Sequence, residues 1–292
     1  MRDSFAMRTR NRIGRLALIL AAAGTGAFVY GAVQQQGLGY KGTPIIPGTK
    51  WGVHDGDRPQ PRVVTPAESF STGAGAPSDA VILFDGKDLS KWQTAAGQPA
   101  NWKLGDGFME TVRGVGGIRT KDKFADFQLH LEFATPSPAK GTGQSRGNSG
   151  VLINGMYEVQ VLDNFEAKTY PDGQCGAQYG QTPPLVNACR PPGQWQTYDI
   201  VFEAPRWDAT GTLTKKACVT VIHNGVLLHH RHEYIGATDG IGGIPHLSLG
   251  AYGKSHPPEV FIELQDHQNP VQYRNIWIRD MGEYDNPKPS KN

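Results

Sequence analysis

The chain has 292 residues, enough for one or two domains that fold around their own core. Its 37 glycines and 21 prolines point to short strands joined by turns. The formal charge of +2 is unevenly placed: residues 1–33 hold five arginines and the single acid Asp3, and the remainder carries 24 basic and 26 acidic residues. That balance excludes a basic nucleic-acid-binding face.

In chain order, Arg2, Arg8, Arg10, Arg12 and Arg15 precede the uncharged run LALILAAAGTGAFVYGAV at 16–33. A positive start followed by an apolar run is an export signature, and this run is almost long enough to span a bilayer. Residues 1–33 are therefore expected to be a cleaved signal peptide or a retained membrane anchor. Either places the bulk of the chain in the periplasm or outside the cell, with the membrane touched only through this segment. Residues 34–78 are rich in Pro, Gly and small polar residues and read as a linker or extended arm, with Trp51, Val53 and His54 available to pin it to a surface.

From Asp79 the pattern alternates at period two. Strands are expected at 80–84, 102–112, 117–120, 127–135, 149–154 and 157–163, then at 195–205, a hairpin over 216–232, and 246–252, 260–267 and 271–281. At 127–133, Phe127, Leu129, Leu131 and Phe133 share one face, with Gln128, His130 and Glu132 on the other. Asn224-Gly225 is a strong two-residue hairpin signal. No helical period runs for three turns between 79 and 284, and residues 285–292 read as a tail. About a dozen strands in one unit predict an all-β, two-sheet jelly-roll sandwich.

Between these strands, Cys175 and Cys189 bracket the loop CGAQYGQTPPLVNAC. A loop so poor in apolar contacts gains from a bridge, worth about 3 kcal/mol in the loop-entropy model, so a Cys175–Cys189 disulfide is expected. Cys218 reads as a small buried apolar residue. The cysteine spacing has no metal-site character.

The strand YEVQVLDN at 157–164 carries acids and amides in its middle. Glu158 and Gln160 share a face opposite Val159 and Val161, and Asp163 joins them only if the strand bulges. VFIELQDH at 260–267 repeats the pattern with Glu263, Gln265 and His267. Two such strands suggest a polar surface suited to sugars, whose hydroxyls need donors and acceptors. Tyr179 is among the aromatics near enough in sequence to stack on a ring, and Asn148, in the turn RGNSG, is a candidate donor at the edge of the cleft. Half-exposed antiparallel sheets also alternate in this way without any ligand. No H-E-x-x-H or G-x-S-x-G motif occurs.

LFDGKDLSKWQ (83–93), GNSGVLI (147–153), YEVQVLDN (157–164), PPGQWQTYDIVFEAP (191–205), HNGVLLH (223–229) and ELQDHQNPVQYRNIWIR (263–279) resemble, in this order, the 3-keto-disaccharide hydrolase family (DUF1080). The resemblance runs from about 79 to 282. It implies a concanavalin A-like jelly roll acting on sugars oxidised to a ketone at C3. The loop at 170–194 looks long for the family.

A C3 ketone acidifies the C2 proton, so a base with a tuned pKa and donors to the enolate oxygen suffice for cleavage by elimination and rehydration. On this reading Glu158 is the base, Asp163 and His267 assist as a leaving-group acid or metal ligands, and Asn148, Gln160, Tyr179, Glu263 and Gln265 bind sugar. A His with several carboxylates can hold a divalent metal, but the sequence specifies none. Ordinary two-carboxylate glycoside hydrolysis and a non-catalytic lectin-like module stay open as alternatives.

Overall fold

The computed structural model describes residues 33–68, 70–238 and 246–282. The expected signal or anchor, save Val33, and the C-terminal tail lie outside these residues. Among the described residues no helix is long and apolar enough to cross a membrane.

Two antiparallel sheets face each other. The five-stranded sheet runs in the order Tyr157–Val161, Ser149–Ile153, Ile262–Leu264, Ile118–Thr120, Trp92–Thr94. The eight-stranded sheet runs Val226–Glu233, Cys218–His223, Gln196–Glu203, Phe127–Ala134, Gln272–Asp280, Met109–Glu110, Lys103–Leu104, with Val81–Phe84 also paired to Gln272–Asp280. Sequence-distant strands lie side by side, as a jelly roll requires.

The core is the space between the sheets. Phe127, Leu129, Leu131 and Phe133 are all fully buried there, opposite Val151, Val159, Val161 and Leu264. Burying side chains of this size contributes about 1.5–3 kcal/mol each. The Asn224-Gly225 turn forms as expected, with φ of 51° and 77°, the left-handed values that a tight hairpin demands.

Three local expectations change. The Trp92–Thr94 strand ends the five-stranded sheet although its three residues are too few for a period to show. Residues 246–252 form no strand; only Ala251 makes a bridge, to Ala237. The Cys175–Cys189 disulfide is not formed, and all three cysteines carry free thiols. The loop is held by other means. Almost all of 170–182 is buried, with the Gly176 N–H donating to Gln160 O at 2.8 Å and the Cys175 N–H to Asn164 Oδ1 at 2.7 Å.

Residues 34–66 dock on this loop. Arg62–Val63 pairs in parallel with Val186–Asn187, and Gln60 Nε2 donates to Thr169 O at 3.0 Å. Val53 and His54 are fully buried. The hairpin Gln34–Lys41 folds back so closely that a Cβ at Gly39 would lie 2.1 Å from His54 O. Only glycine fits at that position.

Candidate active site

The register of the five-stranded sheet decides which side chains share its outer face. Leu152 pairs with Glu158 on one side and with Glu263 on the other, and Glu263 pairs with Arg119. One step along, Gly150 pairs with Gln160, and the Gln265 N–H donates to Gly150 O at 3.0 Å. Side chains alternate, so Glu158, Gln160, Glu263, Gln265 and Arg119 all point away from the core. Their neighbours Val159, Val151, Leu264 and Ile118 point into it. Four of the five side chains expected to line a common surface are thus brought together.

The loop at 176–179 extends this sheet past Tyr157–Val161. Val159 bridges Gln178, and the Tyr179 N–H donates to Glu158 O at 3.4 Å. Tyr179 therefore stands on the same face, directly beside Glu158. Its hydroxyl is 2.6 Å from that of Tyr170.

Glu158 is 2% exposed, and its carboxylate lies over Gly150: a Cβ at residue 150 would come within 2.4 Å of Glu158 Oε1. The absent side chain is what gives the acid room.

Amides frame it. Gln160 Nε2 donates to Gln144 Oε1 at 2.9 Å, Asn148 Nδ2 donates to Gln144 O at 2.7 Å, and Gln144 Nε2 donates to Gly173 O at 2.9 Å. A cavity of about 250 Å³ adjoins them, lined by Gln144 and Tyr170 on the domain and Tyr40 on the arm. The arm's His54 closes this end. Its ring centroid is 4.1 Å from that of Tyr170 and 4.8 Å from that of Tyr179, and its backbone N–H donates to Asp172 Oδ2 at 2.8 Å.

Buried polar atoms are normally paired, so the exceptions locate ligands. On this face Asn148 Oδ1, Gln265 Oε1 and Arg119 Nε are buried without a hydrogen-bond partner. Burial pushes the carboxyl of Glu263 up, against the nearby Arg119.

Two expected participants are placed elsewhere. Asp163 would have needed a bulge, but the Ser149–Ile153 and Tyr157–Val161 strands pair without a register shift. It follows the strand's end, where it accepts Arg146 Nε at 2.8 Å and the Phe165 N–H at 3.1 Å. Burial raises its pKa, with Arg146 opposing. His267 follows the end of Ile262–Leu264 and is exposed. The structure does not gather Glu158, Asp163 and His267 as a metal set; the three-residue group of His, Cys, Asp or Glu ligands found among the described residues is Cys175, Cys189 and His223.

Sequence reasoning missed Arg119, Gln144, Tyr170 and Asp172. Arg119 was legible, because Ile118 and Thr120 flank it at period two. Gln144, Tyr170 and Asp172 sit in loops or single 3₁₀ turns where no period exists.

A family model described as a 3-keto-alpha-glucoside-1,2-lyase-like domain matches residues 79–279. Comparison with curated proteins returned no match. Among solved structures, a candidate glycosyl hydrolase from Parabacteroides distasonis ATCC 8503 is 44% identical, covers 76% of this chain and 93% of its own, and superposes with a TM-score of 0.66. A second from the same organism is 24% identical over 69% of this chain and 99% of its own, with a TM-score of 0.47. The chain belongs to the 3-keto-alpha-glucoside-1,2-lyase-like family, whose members are carbohydrate-active proteins of glycoside hydrolase and lyase type.

Proposed function

We propose that this protein cleaves the glycosidic bond of 3-keto sugars by elimination and rehydration on the outer face of the five-stranded sheet, with Glu158 as the base. The observation that carries this reading is the placement of Glu158: a buried carboxylate seated over Gly150, on a face where Asn148, Gln265 and Arg119 each keep a buried polar atom without a partner. Sugar hydroxyls supply the complementary donors and acceptors.

Glu158 takes the proton from C2, and the electron pair moves into the enolate of the C3 ketone. The enolate re-forms the ketone and expels the C1 oxygen, leaving a C1=C2 double bond. Tyr179, paired beside Glu158 on the sheet and with its hydroxyl 2.6 Å from that of Tyr170, is the donor for the departing oxygen. Water then adds at C1 and the proton returns to C2, so one glycosidic bond is broken and one water consumed. The family description, a 3-keto-alpha-glucoside-1,2-lyase-like domain, supports a bond cleavage of this type. Arg119 and Gln265 lie across the face from Glu158, and on this proposal they hold the far end of the substrate. Donors fixed in a site from which water is excluded stabilise a developing oxyanion far more than in bulk water.

A retaining two-carboxylate mechanism is less well supported. Glu158 and Glu263 flank Leu152 and so stand two strands apart. At about 4.8 Å per strand their backbones are about 10 Å apart, and Leu152 stands between them on the same face.

The test is to incubate purified protein with a 3-keto-disaccharide and with its unoxidised parent. Release of 3-keto-glucose from the first alone supports elimination. Cleavage of the parent supports ordinary hydrolysis, and binding of both without product supports a lectin-like module. Export is proposed as well, from the arginine-rich start and the apolar run at 16–33; cell fractionation that finds the protein in the cytoplasm overturns it.

A further inference from the structure

We propose that Cys175, Cys189 and His223 form a second site, one that binds a thiolate-seeking divalent metal such as zinc, away from the sugar-binding face. One ligand atom from each lies within 4.8 Å of the other two, and the three residues are 2%, 8% and 0% exposed. They come from three places. Cys175 lies in the loop that flanks Glu158, Cys189 follows the Val186–Asn187 strand, and His223 ends a strand of the eight-stranded sheet. That scatter is why the cysteine spacing alone shows no metal pattern.

The histidine is held in the form a metal ligand needs. Its Nε2 is 3.0 Å from Gln196 Oε1. The same oxygen accepts the Arg190 N–H at 2.9 Å and Asn224 Nδ2 at 3.2 Å, so it is an acceptor and Nε2 carries the proton. Nδ1 then presents a bare lone pair, and it is buried without a hydrogen-bond partner. A metal-binding imidazole has its other nitrogen fixed by an oxygen acceptor in this way.

Chemistry selects the metal class. Two thiolates and an imidazole favour zinc-like ions over calcium or magnesium, which prefer oxygen. Binding one divalent ion releases two thiol protons to solvent and leaves the metal with its two thiolates neutral, which limits the cost of burial. Three protein ligands leave a fourth tetrahedral position. Cys189 lines a cavity of about 460 Å³, together with Asn164, Asn187 and Glu68 among others, that offers room for a water or small ligand there. Occupancy would also tether the loop beside Glu158, since Cys175 Sγ is 3.0 Å from the Tyr198 hydroxyl, which donates to Gln160 O at 2.7 Å.

The experiment uses the full chain, purified without added metal and then titrated with cobalt(II) as a spectroscopic probe. The proposal expects one cobalt per chain, a thiolate-to-cobalt charge-transfer band with tetrahedral d–d bands, and displacement of both by zinc. Cys189→Ser and His223→Gln should weaken binding at least tenfold; circular dichroism on each variant separates this from misfolding, and Cys218→Ser should bind as wild type does. Three thiols should react after chelation and non-reducing unfolding. A count of one, showing a Cys175–Cys189 bridge, overturns the proposal, as does cobalt binding without a thiolate band.

Discussion

The two sheets each bury acids on their outward face, and they treat them differently. On the eight-stranded sheet, Glu132 accepts Arg274 Nε at 2.8 Å, Asn275 Nδ2 at 2.9 Å and the Gly73 N–H, while His130 Nδ1 lies 2.7 Å from Asp199 Oδ1. Ser71 Oγ donates to Asp199 Oδ2 at 2.8 Å, so the last part of the arm is locked over the cluster. On the five-stranded sheet, Asn148, Gln265 and Arg119 keep buried polar atoms without partners, whereas beside His130 on the other face such an atom is Trp277 Nε1. Both faces look alike in sequence, because each reads as polar residues alternating with Phe, Leu or Val. A buried acid in a strand is therefore not by itself a mark of function. Whether its surroundings are already paired is what separates a latch from a site.

The sharpest way to break that contrast is at Glu158. Glu158→Gln should lower turnover of a 3-keto-disaccharide by about 10³-fold or more while the melting temperature stays near wild type. A folded variant with normal turnover removes Glu158 from its role. Glu132→Ala should do the reverse. It removes the carboxylate that Arg274 Nε and the Gly73 N–H share and should cost about 3–5 kcal/mol in urea unfolding, with turnover per folded molecule intact. Gly150→Ala pushes a Cβ against the Glu158 carboxylate and should cut turnover by about 100-fold through misplacement of the proposed base, which steady-state kinetics will read chiefly in kcat.

A smaller effect concerns pH. Burial pushes His130 down, but Asp199 and Glu132 outweigh it and hold the imidazole at about 9. Burial likewise pushes Glu132 up, and His130, Asn275, the Gly73 amide and Arg274 hold it at about 2. His130 therefore contributes stability that is complete below its unfolded value of about 6.5 and is lost as pH rises toward 9. Glu132 contributes stability present above about 4.3 and lost as pH falls toward 2. Melting temperature against pH should show an alkaline decline between 6.5 and 9 that His130→Gln flattens. The smallest effect is His267→Ala, where an exposed ring beyond the strand's end should change turnover less than about twofold.

Period and order made much of this legible. Phe127 to Phe133 announced a core strand, Asn224-Gly225 announced a turn, and the pairs Glu158/Gln160 and Glu263/Gln265 announced a shared face. The limits were equally physical. Alternation says which residues share a face but not where a strand stops, so Asp163 and His267 were drawn into a face that ends before them. Alternation also cannot show what covers a face, and Glu132 looked as exposed as Glu158 looked useful. The arm lacked period altogether, yet it delivers His54 to the ring cluster with Tyr170 and Tyr179.

The most direct test of the central claim is turnover of a 3-keto-disaccharide in D₂O, with the released 3-keto-glucose examined by NMR against an enzyme-free control. If Glu158 removes the C2 proton and exchanges it with solvent before returning it, the product carries deuterium at C2. A product released at full rate with C2 unlabelled, together with no kinetic isotope effect on substrate deuterated at C2, contradicts the account.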